Sequence, residues 1–159
     1  MAVQRPLKIN LTTGEIERFS PTDTVNEVDF LQVENAEVTP VVIGAPVRSN
    51  AVANQAVRAQ ADVIANARVL GLVADVSIAA AATGNVLTDG RLTATTGQWD
   101  AVTGQVGGLT PGAKYYLDPA TGGMLTTTPP STDLQVIAPL GTAKSTTEFE
   151  ISVGTRIVL

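Results

Sequence analysis

SNAVANQAVRAQADVIANARV, residues 49–69, is the stretch on which the fold class turns. Its alanine, glutamine and arginine content is that of a helix by intrinsic propensity. The larger apolar residues, Val52, Val57, Val63, Ile64 and Val69, drift off any single helical stripe, and Asn50, Asn54 and Asn66 interrupt it. The pattern therefore predicts two short strands followed by a brief helical turn near residues 61–66, not one long helix.

An internal repeat of roughly seventy residues supports that reading. Pro46-Val47-Arg48-Ser49-Asn50 aligns with Lys114-Tyr115-Tyr116-Leu117-Asp118, and Val57 with Leu125. Leu70-Gly71-Leu72 aligns with Leu140-Gly141-Thr142, and Val76-Ser77-Ile78 with Phe149-Glu150-Ile151. The separations are 68, 68, 70 and 73 positions, a slow growth of the kind that small loop insertions produce. In the second copy, the segment opposite the ambiguous stretch holds Gly122-Gly123 and Pro129-Pro130, which no helix interior accommodates. The repeat halves are residues 46–94 and 114–159.

Around these halves, short β-branched runs alternate with Gly, Pro and Asn: residues 41–43, 70–73, 76–78, 85–88, 91–94, 134–137 and 149–153. Short strands at such spacing are the signature of an all-β sandwich or small barrel. Asp89-Gly90 lies between two of them and predicts a tight hairpin, since a type I′ turn needs positive φ at both central positions. Residues 1–40 differ in character, with Leu7, Ile9, Leu11, Ile16 and Phe19 spaced among polar and acidic residues. They read as an extended N-terminal arm or an edge hairpin about Thr12-Thr13-Gly14, and residues 41–159 as the β-domain.

The chain has 159 residues, enough for one domain with a moderate core. Aromatic residues are only 4% of it, so the core must come from Val, Ile, Leu and Ala, which bury less area each. Such a thin core points to an obligate oligomer whose interfaces add apolar burial. Ten basic and fifteen acidic residues give a net charge of -5 with no Lys/Arg run, which gives nucleic acid no electrostatic footing. The expected partner is protein or glycan. No signal peptide and no membrane span are expected, because no apolar run has the required length.

The chain contains neither His nor Cys, which excludes Ser-His-Asp and Cys-His mechanisms and thiolate metal sites. The carboxylate pairs Asp23/Glu27, Asp29/Glu34 and Glu148/Glu150 sit in polar stretches with nothing to part their pKa values. No calcium-loop pattern occurs. Gly104-Gln105-Val106-Gly107-Gly108 lacks the Lys and the following helix that make a phosphate loop. The expectation is no catalytic residue, no metal and no cofactor: a chain that is not an enzyme. Trp99 and Tyr115-Tyr116 read either as the largest core or interface fillers of an aromatic-poor chain or as an exposed sugar-stacking platform.

The stretch Gly107-Gly108-Leu109-Thr110-Pro111-Gly112-Ala113-Lys114-Tyr115-Tyr116-Leu117-Asp118-Pro119, with Gly123-Met124-Leu125-Thr126-Thr127 and Leu140-Gly141-Thr142-Ala143, resembles a β-module of tailed-bacteriophage structural proteins. That module occurs in capsid decoration (cement) proteins and in tail-fibre proteins, and the resemblance spans roughly residues 99–153, about a third of the chain. Residues 7–24 are also similar, more weakly, to N-terminal arms of such virion proteins. The resemblance implies a β-rich homotrimer on the outer surface of the capsid, clamping neighbouring copies of the major capsid protein, with no nucleic-acid or membrane contact. The interface residues expected on this reading are Leu7, Ile9, Leu11, Ile16, Phe19, Trp99 and Tyr115. The alternative is a receptor-binding or tail-fibre module that recognises a glycan or host surface; the short chain favours the cement role over a fibre.

Overall fold

The computed structural model describes residues 7–9, 16–18 and 30–159. At the N-terminal side, β1 (Leu7–Ile9) pairs antiparallel with β2 (Ile16–Arg18), with Ile9 opposite Ile16, and the expected turn at Thr12-Thr13-Gly14 lies outside the described residues.

The protein is all-β with one short helix, and it is built from two five-stranded units. The first is a closed barrel of β3 (Phe30–Asn35), β5 (Pro46–Ser49), β6 (Gln55–Arg58), β7 (Val69–Val73) and β9 (Thr83–Leu87), in the order β3-β6-β5-β7-β9. Two short strands, β4 (Val41–Val42) and β8 (Ser77–Ile78), pair beside it. The β9–β3 ladder and a parallel β3–β6 pair close the ring. The second unit is an open sheet of β10 (Gly90–Thr93), β11 (Lys114–Leu117), β12 (Leu125–Thr126), β14 (Pro139–Ala143) and β15 (Glu148–Ile151), in the order β10-β15-β14-β11-β12. A ribbon of β13 (Val136–Ile137) and β16 (Ile157–Val158) flanks it.

Cut between β3 and β6, the barrel order becomes β6-β5-β7-β9-β3, which maps strand for strand onto β12-β11-β14-β15-β10. The repeat is therefore real, and it extends to detail. The β5–β7 register slips between Val47 and Arg48, and the β11–β14 register slips at the aligned place, between Tyr115 and Tyr116. Gly71 stands opposite Val47 and Gly141 opposite Tyr115. A Cβ on Gly71 would lie 2.2 Å from the Leu87 carbonyl oxygen, and one on Gly141 2.0 Å from that of Glu150. Each copy thus needs a residue without a side chain where its bulged strand presses on the next. Flanking backbone bonds repeat as well: Val73 N–H donates to Ala45 and Ala143 N–H to Ala113.

Three expectations are corrected. The Asp89-Gly90 hairpin does not form, because β9 already has β7 and β3 on its two edges while β10 pairs with β15; the dipeptide instead carries the chain from one unit into the other. The repeat begins earlier than residue 46, since β3 and β10 are the matching first strands, and the counterpart of β15 in the first unit is β9, not the 76–78 segment. The β-domain likewise begins no later than Phe30, not at residue 41, since β3 closes the barrel. Residues 49–69 behave as expected in having no long helix: β6 and a set of turns follow β5, with one helical turn closed by Ala67 N–H donating to Val63.

The helix α1 (Thr96–Thr103) was not foreseen, although its signals are legible. Thr95 and Gln98 form a reciprocal capping box, and Gly104 ends the helix in the left-handed conformation. In the first unit, β3 runs on at this point to pair with β6. In the second, the cap turns the chain into α1, which packs near β12 and leaves that sheet open. Trp99 and Val102 of α1 are buried, and the two units share one apolar core. They are stitched together at residues 59–61: Gly123 N–H donates to Ala59, Ala61 N–H to Asp118 and Val136 N–H to Ala61.

Candidate functional site

Of the three aromatic residues singled out in the sequence, Trp99 and Tyr115 lie in the interior and Tyr116 is half-buried. Trp99 and Tyr115 are both 0% exposed and stack about Phe149, with ring centroids 5.7 and 5.8 Å from it. The indole Nε1 donates to the Thr147 carbonyl at 3.0 Å. The Tyr115 hydroxyl donates to Gln105 Oε1 at 2.7 Å and accepts from Thr110 N–H at 2.9 Å. With every polar atom of both rings engaged inside one chain, Trp99 and Tyr115 offer neither an intersubunit contact nor a sugar platform. That part of the expected interface is withdrawn. Leu7, Ile9 and Ile16 lie on the β1–β2 hairpin, and Leu11 and Phe19 fall outside the described residues.

The glycine-rich loop has an internal purpose. Gly107 and Gly108 N–H donate to the two carboxylate oxygens of Asp100 at 3.2 and 2.7 Å, so the amides that suggested a phosphate cradle hold the helix's own side chain. Glu148 and Glu150 flank Arg91 on the outer face of the sheet, at 3.9 and 3.5 Å, in an exposed cluster of little energetic weight. Arg58 binds the Glu37 carboxylate, Thr39 Oγ1 at 3.1 Å and the Pro40 carbonyl at 2.6 Å, which ties the β3–β4 connection to the barrel. Asn35, the one buried polar side chain among the described residues, donates to the carbonyls of Thr39, Ile78 and Ala79 and accepts from Glu37 N–H. All of these arrangements are structural. Among the described residues, no group of three or more His, Cys, Asp or Glu side chains is placed to hold a metal ion.

The surface is more informative. At the barrel mouth where the chain enters β3, Phe30 is 56% and Leu31 40% exposed, and across the opening Val52 of the β5–β6 loop is 57% exposed. A cleft runs from Leu31 and Val52 past Ser49, Asn50, Ala51 and Leu70. It continues, sharing those last four residues, to Arg68 and Arg156. A second apolar surface lies on the β13–β16 ribbon, where Ile157, Val158 and Leu159 are exposed and Leu134 is 72% exposed at a φ of 70°. A leucine in that backbone region is strained, and its side chain stands largely open to solvent.

Comparison with protein-family models, with curated proteins and with solved structures finds no match. The functional reading therefore rests on the residues themselves. No helix among the described residues is long and apolar enough to cross a membrane. Sequence reasoning missed the barrel mouth because Phe30 and Leu31 fell within the segment read as an arm, and the Arg68/Arg156 pairing because those residues are 88 positions apart.

Proposed function

We propose that this chain is a virion structural protein that decorates a bacteriophage capsid, trimerising and clamping neighbouring capsid subunits through its N-terminal arm and the apolar ends of its β-domain. The observation that carries the reading is the exposed apolar surface at the barrel mouth and on the C-terminal ribbon. Apolar side chains of that size left in water mark places where another surface docks. The resembling stretch is accounted for in the same terms. Leu109, Tyr115, Leu117, Leu125 and Leu140 are its buried positions, and Gly141 its bulge contact, so the motif describes a rigid β-module suited to assembly. Three arms on one trimer bind a shell by avidity, so weak single contacts add up to firm attachment.

The glycan-binding alternative has less support, because Trp99 and Tyr115 of its aromatic platform are in the core and only Tyr116 is half-buried. The test is molar mass by multi-angle light scattering, alone and after mixing with empty phage heads. A mass near three times 16.4 kDa with co-sedimentation on heads is the expected result. A monomer that ignores heads overturns the proposal. Deletion of residues 1–29, which leaves β3 in the barrel, is expected to weaken head binding without unfolding the domain.

A further inference from the structure

We propose that strand β16 of a second copy adds to the open edge of β3 at the barrel mouth. It runs antiparallel, with Val158 opposite Phe30, Ile157 opposite Leu31 and Arg156 opposite Gln32. The inference rests on the reading of this chain as self-associating and names the two surfaces that join.

The barrel seam is only half closed. β3 pairs with β9 from Phe30 to Glu34 but with β6 only at Glu34 and Asn35. Glu34 N–H donates to Asn54 on the β6 side and Asn35 N–H to Ala82 on the β9 side. Alternation therefore turns the backbone groups of Phe30 and Gln32 toward the β6 side, where no described strand meets them. β16 has a matching edge, since its only partner among the described strands is β13. Leu159 N–H donates to Gln135 and the Leu159 carbonyl accepts from Leu134 N–H, both toward β13, so the groups of Val158 and Arg156 face away from it. Phe30-Leu31-Gln32 and Ile157-Val158 carry no charge, Pro or bulge of the kind that blunts an exposed edge.

This register also matches the side chains on both faces. Val33 shares a face of β3 with Leu31 and is buried, so that face looks into the barrel, while Gln32 and Glu34 share the outer face with Phe30. Ile157 meets Leu31 on the inner face and Val158 meets Phe30 on the outer one; all four are between 40% and 56% exposed in the single chain. Arg156 stands diagonal to Glu34, within reach of a long side chain. Glu34 accepts a hydrogen bond from Gln55 Nε2 at 2.8 Å and pairs with no cation among the described residues. Arg156 is in no ion pair with a described residue either, and the cleft it lines beside Arg68 has no carboxylate. A carboxylate from another copy therefore relieves two like charges. Arg156 shares that cleft with Ser49, Asn50 and Leu70, which also line the barrel mouth, so the giving and receiving surfaces lie side by side on one chain. Neighbouring surfaces of this kind suit a closed ring of few subunits, in which each copy gives a strand to one neighbour and takes one from the other.

The test uses the full chain, which has no cysteine, as two single-cysteine variants, Leu31→Cys and Ile157→Cys. Side chains opposed at a non-hydrogen-bonded position of an antiparallel ladder are the closest, near enough for a disulfide. The two variants, one enlarged by a tag, are refolded together, oxidised and resolved on a non-reducing gel. The expected product is a linked pair with one chain of each kind, far in excess of pairs joining two copies of either. Val158→Cys, whose side chain lies on the other face, should link to Leu31→Cys far less. Adding Arg156→Glu to the Ile157→Cys chain should lower the yield about 3–5-fold at low salt, and adding Glu34→Arg to the Leu31→Cys chain should restore it. Arg156 is exposed, so its variant is expected to melt as the parent does, and the restoration shows that the drop does not come from misfolding. Absence of the mixed pair overturns the proposal. So does a Leu31→Cys chain that links mainly to itself, which would make a second β3 the occupant, or a yield that Arg156→Glu leaves unchanged. The gel needs no phage heads, so mixed pairs without head binding sink the decoration reading alone, and head binding without mixed pairs sinks this one alone.

Discussion

Gly141→Ala is expected to be among the most damaging single-methyl additions in the protein. The new Cβ would lie 2.0 Å from the Glu150 carbonyl oxygen and 2.9 Å from the Phe149 ring, at a φ of +155°. Side chains essentially never approach other atoms within 3.0 Å, so β14 and β15 must part by about 1 Å at the point where Gly141 faces Ile151. Losing one or two ladder bonds and stranding their buried partners costs about 2–3 kcal/mol. Strained backbone and the displaced Phe149 ring add about 1–2 kcal/mol more. The total, about 3–5 kcal/mol, corresponds to a melting temperature lower by about 10 °C or more for a domain of this size. Urea denaturation and thermal melts followed by circular dichroism measure it. Gly71→Ala, with its Cβ 2.2 Å from the Leu87 oxygen, should cost a similar amount if the two units share the same bulge logic. Gly97→Ala is the control: nothing lies within 4 Å of its Cβ and it sits in α1, so it should stabilise by about 0.4–1 kcal/mol. A Gly141→Ala protein within 1 kcal/mol of the parent would refute the close-approach argument.

Trp99→Ala empties the space between α1 and Phe149 and removes one of the two hydrogen bonds to the Thr147 carbonyl, and should cost about 3–5 kcal/mol in chemical denaturation. Tyr115→Phe keeps the ring but leaves Gln105 Oε1 and Thr110 N–H without their partner, with an expected loss of about 1–2 kcal/mol by the same assay. Asn35→Ala removes the partner of the buried Ile78 carbonyl and of the part-buried Thr39 and Ala79 carbonyls and Glu37 N–H, and should cost about 2–3 kcal/mol and speed hydrogen exchange at residues 36–40 and 78–82. Thr95→Ala removes half of the capping box and should lower stability by about 1 kcal/mol, seen as a shifted urea midpoint with an unchanged slope.

The all-β class, most strand positions and the repeat were legible in the sequence because they depend on local chemistry. β-branched runs bounded by Gly, Pro and Asn extend wherever they occur, and Gly71 and Gly141 recur because each copy meets the same backbone approach. Absence of His and Cys was equally plain and narrowed the chemistry before any coordinates. Pairing was a different matter. Asp89-Gly90 has the composition of a hairpin turn, yet β9 and β10 take their partners from residues far away in the chain, so a local signal lost to long-range ladders. The strand FLQVEN at residues 30–35 looked like part of a polar arm, and only its fit between β9 and β6 makes it a barrel wall. Trp99 and Tyr115 were ambiguous in the sequence, since a large amphipathic ring serves a core or a surface equally well; burial around Phe149 decided it. The cleft joining Leu31 to Arg68 and Arg156 could not be read from the chain at all. A site assembled from four distant segments exists only once the barrel has closed and the C-terminal ribbon has folded back beside it.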